Sequence, residues 1–244
     1  MSGGELPGRR SGAAQRLWWF VARGLVAGFC RTFWRVTVVG KDNVPAGPFV
    51  LAPVHRSYVD TMFCGCVTRR RLRFMSKDSL WKYGWSGRFV ESLGGFPVHR
   101  GMPDREALRM CEAALSAGDP VVIYPEGERK AGPSVQPLRP GAVFVAARTK
   151  VPILPVGIGG SEWAMPKGAR FLHPVKVVIV VGEPIDPPSP GAGGRVPRRQ
   201  VAEGTEALHA ELQRLFDQAL ARAGRRYDGG SAGAAATLTG GGLG

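Results

Sequence analysis

The chain has 244 residues, of which 44% are hydrophobic and 21% charged, a balance that suits one large globular domain and excludes wholesale disorder. Its 33 Lys and Arg against 19 Asp and Glu leave a net charge of +14. That excess calls for an anionic partner: nucleic acid, an acidic membrane surface or a phosphorylated substrate.

Residues 1–11 are polar and glycine-rich and read as a disordered N-terminus. Residues 12–34 read as an amphipathic helix. In "LWWFVARGLVAGFCRTFW", Arg16, Arg23, Arg31 and Arg35 share one arc, and Trp18, Val21, Ala22, Leu25, Val26 and Phe29 lie mostly opposite. Arg23 interrupts the apolar run well short of the ~20 residues a spanning helix needs. The expectation is therefore a helix lying in a membrane interface, peripheral or monotopic and facing the cytoplasm. Packing of the same apolar face on the protein's own core is the alternative.

Residues 35–225 read as one α/β domain. "RVTVVG" and "PFVLAPVH" are short β-rich runs, and Asp60–Val67 suits a short helix. "RLRFMSK" reads as a strand, Trp81–Leu93 as a helical region and "GFPVHR" as a strand. Residues 103–117 carry acidic residues in their first turn and an apolar stripe, so they predict a helix closed by Gly118. "PVVIYPEG" reads as a buried strand, "GAVFVAART" as a short helix and "VPILPVGI" as another strand. A late strand in "PVKVVIVVGEPI" and a final amphipathic helix over Val201–Ala223 follow. Continuous apolar strands alternating with helices predict a mostly parallel, mixed sheet covered by helices on both faces. Residues 226–244 are Gly/Ala-rich and read as a disordered tail. Cys30, Cys64, Cys66 and Cys111 have neither disulfide-framework nor zinc spacing and read as reduced core thiols in a cytosolic setting.

The chemistry-bearing residues fall in four blocks. In "VHRSYVD", His55 ends an apolar strand and Asp60 lies five residues on, at a helix start. Ser57 and Asp60 have the spacing of a capping box, which accounts for Asp60 but not for His55. A sharp strand-to-helix turn would let Asp60 hold one imidazole tautomer and leave His55 as a base for a hydroxyl proton. No serine or cysteine nucleophile sits on a glycine elbow, so the nucleophile is expected to be the substrate's own alcohol. "GGFPVHRG" places Arg100 after a strand, where it could grip phosphate. "YPEGERK" brings Glu126, Gly127, Arg129 and Lys130 to a strand end, where sheets of this class bind ligands. Arg139-Pro140-Gly141 adds a cation and helix N-terminal amides. "VPILPVGI" shapes a wall.

In this order and spacing, the four blocks resemble the glycerolipid acyltransferase family, the 1-acylglycerol-3-phosphate acyltransferases and their relatives. The resemblance spans about residues 35 to 185. It implies transfer of a fatty acyl group from acyl-CoA or acyl-carrier protein, as co-substrate, to the free hydroxyl of a lysophospholipid, giving phosphatidic acid. On this sequence it makes His55 the general base and Asp60 its orienter. Arg56, Ser57, Arg100, Glu126, Gly127, Arg129 and Arg139 become the candidate substrate-binding residues. It implies no metal and no cofactor, and partners limited to a membrane lipid surface, acyl donor and lysophospholipid acceptor. Two departures bear on the acceptor. "PEGERK" stands where relatives often read Pro-Glu-Gly-Thr-Arg-Ser, and "HRSYVD" looks like the first block of glycerol-3-phosphate and dihydroxyacetone-phosphate acyltransferases.

Two rival functions remain at this level. A thioesterase would use the His-Asp pair on water. A non-catalytic basic module would bind lipid or nucleic acid, for which "RRRLR" at 69–73 supplies a phosphate-contact cluster. No reader motif or aromatic–basic stacking surface supports nucleic acid, and Arg69–Arg73 are expected to form a solvated or membrane-facing loop.

Overall fold

The computed structural model describes residues 13–98, 104–166, 168–189 and 196–227. Within them the chain runs α1 (Ala13–Phe33), β1 (Thr37–Val39), β2 (Val50–Pro53), α2 (Asp60–Cys64), β3 (Arg73–Lys77), α3 (Gly84–Ser92) and β4 (Gly95–Val98). It continues through α4 (Asp104–Ser116), β5 (Val121–Val122), α5 (Gly141–Thr149), β6 (Ile153–Gly159), α6 (Ser161–Ala164), β7 (Val178–Val181) and α7 (Arg198–Ala223). Of the terminal segments expected to be disordered, residues 1–11 lie outside the described residues, as does 226–244 apart from Arg226 and Tyr227.

The strands form one sheet in the order β1-β7-β6-β2-β5-β3-β4. From β6 to β4 all neighbours are parallel, whereas β7 runs antiparallel to β6 and β1 parallel to β7. Every residue of β2, β5, β6 and β7 is buried, which is why these strands read as unbroken apolar runs rather than alternating ones. The mostly parallel, mixed sheet is the fold class expected. α6 is an addition, a four-residue turn of helix that carries no apolar period of its own.

Helix α7 lies directly on β6, and glycine makes this possible. A Cβ at Gly157 would stand 2.3 Å from the Leu215 backbone, and one at Gly159 would stand 2.2 Å from that of Ala219. Two residues apart, these glycines share one face of the strand. They let helix backbone touch strand backbone, while Leu208, Leu212, Leu215 and Phe216 bury around the contact.

The four cysteines are free and buried. The arginine run corrects its expectation. Only Arg69 is exposed. Arg70 donates to the carbonyls of Ala46, Gly47 and Gly118, Arg71 donates to that of Glu91, and Arg73 is buried. Guanidiniums have five donors to place, and loop carbonyls with no ladder partner are where they go.

Helix α1 also differs from its expected orientation. Ala22 is buried and Val26 half-buried, and Arg23 turns inward to donate from Nε (3.2 Å) and Nη2 (2.9 Å) to the Thr68 carbonyl. Cys30 and Trp34 anchor the C-terminal end. The outward side presents Leu17, Trp18, Phe20, Val21, Leu25 and Phe29, all exposed. No helix among the described residues is long and apolar enough to cross a membrane.

Candidate active site

Parallel β2 and β5 are neighbours, so their carboxyl ends open on the same edge of the sheet. The chain leaves β2 at Pro53 and does not become helical until Asp60. In that turn His55 Nδ1 comes 2.8 Å from Asp60 Oδ2. The same carboxylate oxygen accepts from the backbone N–H of Arg56 and of Ser57, both at 2.7 Å. Asp60 is fully buried and the His55 side chain is 18% exposed. With Nδ1 donating to a buried carboxylate, the imidazole is held with its Nε2 lone pair directed away from Asp60.

The capping box is half present. The Asp60 carboxylate reaches back to the Ser57 N–H, but the Ser57 hydroxyl donates to the Met165 carbonyl at 3.0 Å, and Val59 flanks the helix without a side-chain cap. Asp60 is thus spent on organising the turn around the histidine.

The loop after β5 clamps His55 from the other side. Its N–H donates to Glu126 Oε2 at 3.1 Å, and its carbonyl accepts from the Lys130 N–H at 2.9 Å. Glu126 also takes Arg56 Nη1 at 2.8 Å and the Gln136 N–H at 3.0 Å. Arg56 further donates to the Ser134 carbonyl, and its guanidinium lies 4.8 Å over the Phe216 ring of α7. Both side chains of the pair have zero exposure. Arg56, Ser57 and Glu126, expected to bind substrate, are buried and hold the turn around His55.

That cavity has a volume of about 1630 Å³ and a largely apolar wall. It exceeds the roughly 300–1,000 Å³ of ordinary small-molecule sites. His55, Gly127, Arg129 and Arg139 all line it. Gly127 has φ +74°, and a Cβ there would stand 2.6 Å from Arg139 Nε, so only glycine lets the guanidinium lie across the loop. Pro140, which flanks α5, and Gly141, its first residue, border the cavity beside Arg139, which adds helix N-terminal amides to the cationic wall. Arg129 stacks on the Tyr58 ring, 3.3 Å from its centroid. Arg100 lies outside the described residues.

One residue of this site was not singled out in the sequence. Tyr124 ends the strand run before Pro125, and its ring stacks on His55 with centroids 3.9 Å apart and planes 22° from parallel. Its hydroxyl pairs with Thr61 Oγ1 at 3.0 Å. Burial, with the nearby Cys64 and Asp60, pushes its pKa well up and keeps it neutral. The available signal was position: an aromatic immediately before "PEG", on the strand neighbouring the one that delivers His55.

A family model described as Acyltransferase matches residues 35–159, more than half the chain and all of the His55, Asp60 and Glu126 constellation. The chain belongs to the acyltransferase family. It is an enzyme. Among its relatives is a 1-acyl-sn-glycerol-3-phosphate acyltransferase of Bacillus subtilis, 29% identical over 183 residues, which are 74% of this chain and 87% of that one. Another 1-acyl-sn-glycerol-3-phosphate acyltransferase, from Chlamydomonas reinhardtii, is 30% identical over 162 residues, 64% of this chain and 48% of the relative. The fold resembles that of the 1-acyl-sn-glycerophosphate acyltransferase PlsC from Thermotoga maritima, with TM-score 0.67 and 23% identity over 86% of this chain and 84% of that one. In this acyltransferase the imidazole of the buried pair thus borders a largely apolar cavity whose wall includes Arg129 and Arg139.

Proposed function

We propose that the enzyme transfers a fatty acyl group from the thioester of acyl-CoA or acyl-carrier protein to the free hydroxyl of 1-acylglycerol 3-phosphate, giving phosphatidic acid. The observation that carries this reading is the 2.8 Å His55–Asp60 pair, whose imidazole residue lines a largely apolar cavity together with Arg129 and Arg139. The hydroxyl gives its proton to His55 Nε2 as its oxygen bonds to the thioester carbonyl carbon. The imidazolium that forms is stabilised by the buried Asp60 carboxylate. The tetrahedral intermediate then expels the thiolate, which recovers the proton from His55. The thioester, less resonance-stabilised than the oxygen ester that replaces it, supplies the driving force.

Arg129, Arg139 and the α5 amides are suited to the acceptor's phosphate, and the apolar wall suits an acyl chain. Arg100 is assigned to the same phosphate from its place in the sequence. Arg56, Ser57, Glu126 and Tyr124 are positioning residues. The exposed apolar side of α1 supports peripheral attachment to a lipid surface, with which the net charge of +14 agrees when the lipids are anionic.

The test is labelled acyl-CoA offered with lysophosphatidic acid, glycerol 3-phosphate, dihydroxyacetone phosphate or a neutral lysolipid, with products separated by chromatography. The expected product is phosphatidic acid from the first acceptor at the highest kcat/KM. Preference for glycerol 3-phosphate would move the acceptor assignment. Release of free fatty acid at the full rate without any acceptor would replace the alcohol by water and make the enzyme a thioesterase.

A further inference from the structure

Helix α1 is not alone in turning apolar side chains outward. From the 3-10 turn Asp78–Trp81 into α3, Leu80, Tyr83, Trp85 and Phe89 are exposed, Tyr83 at 62% and Trp85 at 77%. Rings of that size left in water forgo about 1.5–3 kcal/mol of burial each. The segment that presents them is tied down. Trp81 points inward, donates from Nε1 to Glu91 Oε1 at 2.7 Å, and packs its ring against Gly87. Ser86 Oγ donates to the Leu80 and Tyr83 carbonyls, and Arg71 reaches the Glu91 carbonyl at the end of α3. Turn and helix thus form one clamped unit with its apolar side chains outward.

Its location gives the exposure a use. Leu80 and Phe89 line the cavity as well as being exposed, and Trp19 and Val26 of α1 line the same cavity. The cavity therefore reaches both α1 and the exposed side of the α3 segment. Lys82 and Arg88 are exposed among the aromatic residues. Tyr and Trp flanked by cations are the composition that settles at the headgroup level of an anionic bilayer.

We infer that the Asp78–Ser92 segment is a second membrane-contact element. Tyr83 and Trp85 enter the interface of an anionic phospholipid bilayer beside α1, so that a lipid acceptor passes from the leaflet into the cavity. The passage rests on the acceptor reading above, whereas the contact itself does not.

The experiment uses the full chain and the double variant Tyr83→Ser, Trp85→Ser, neither residue lining the cavity. Binding is read by sedimentation with phosphatidylglycerol–phosphatidylcholine vesicles. Turnover is compared for lysophosphatidic acid carried in those vesicles and for a short-chain lysophosphatidic acid soluble as monomers. The double variant is expected to lose about tenfold in vesicle affinity and in turnover of vesicle-borne acceptor, and to keep its turnover of the soluble one. Trp85→Phe, alone, should retain most of the binding, and should remove part of the tryptophan quenching by brominated phospholipids. Unchanged sedimentation and unchanged vesicle turnover would overturn the inference, as would an equal loss on the soluble acceptor. A concentration-dependent dimer that only the double variant loses, with vesicle binding intact, would overturn it in favour of a protein surface. Wild-type vesicle binding that depends on Tyr83 and Trp85, without any acyl transfer, would sink the acceptor reading alone.

Discussion

Two regions of this acyltransferase are equally buried and built on opposite physics. Where α7 crosses β6 the interior is dry: backbone meets backbone over Gly157 and Gly159, and aliphatic side chains close around the contact. At the carboxyl ends of β2 and β5 the interior is ionic. Arg56, Glu126 and Asp60 are withdrawn from water, and their hydrogen bonds converge on the backbone and ring of one histidine. A buried ion pair gains the fold little over apolar packing of the same volume, because desolvation offsets the Coulomb attraction. The ionic region is therefore explained by what it holds in place, and the dry region by what it stabilises. If so, damage to the first should show in rate and damage to the second in stability.

The largest separation is expected at His55. On the proposed mechanism His55→Ala should lower kcat by at least about 10³-fold, in the range of positioned general-base catalysis. The side chain is partly exposed, and without it the Asp60 carboxylate keeps the Arg56 and Ser57 N–H donors, so the melting temperature should move far less than the rate. Asp60→Asn should fall between, since the amide still accepts from the turn but no longer stabilises an imidazolium. A folded His55→Ala enzyme with near-normal kcat would remove the base from the mechanism.

Glu126 sharpens the contrast because its loss should register in both ways. Glu126→Gln leaves Arg56 buried without a countercharge, which costs about 3–5 kcal/mol of stability, and it loosens the acceptor of the His55 N–H. Replacing both partners, Arg56→Met with Glu126→Leu, should restore most of the melting temperature but not the rate. Recovery of both would mean that the pair is only packing and does not position His55.

The dry region predicts the reverse. Gly159→Ala drives a Cβ into the Ala219 backbone, which cannot step aside as a flexible side chain could. A destabilisation of about 3 kcal/mol is expected in urea unfolding, at the upper end for overpacking, with kcat per folded enzyme unchanged. A fall in kcat without a fall in stability would show that α7 acts on the site, where Phe216 already lies beneath Arg56.

The two regions were also unequally legible in the sequence. His55 and Asp60 could be paired from "VHRSYVD" because strand-end and helix-start signals lie so close together that the turn between them has to be sharp. Arg129 follows a strand's carboxyl end and Arg139 shortly precedes α5, and both positions border the cavity. The burial of Arg56 and Glu126 could not be read, since two charged residues 70 positions apart give no local sign that they neutralise each other. The same is true of "VGIG": its glycines weaken a strand on propensity alone, and their reason lies on a helix more than 50 residues later. The inward turn of Arg23 was illegible for a related cause, its acceptor being the carbonyl of Thr68. Periodicity reports which face is apolar, but it does not report which carbonyls elsewhere need a donor.

The smallest predicted effect tests the dry interior by pH. Cys111 on α4 has no exposure, and burial, helped by Glu112, raises its thiol from 9.0 to about 12. A group whose folded pKa is raised gives its full stabilisation below its unfolded pKa and loses it as pH climbs toward the folded one, because unfolding then releases a proton. Between pH 8 and pH 10 the thiol should therefore remove about 1.4 kcal/mol from the unfolding free energy. Cys111→Ala deletes that dependence, although Cys64 and Tyr124, raised by the same burial, keep part of the alkaline slope. Urea unfolding of both proteins at the two pH values checks it. The stability gap between wild type and variant should narrow by the stated amount at the higher pH. A gap that stays constant would mean that water reaches the thiol and that the interior beneath α4 is wet.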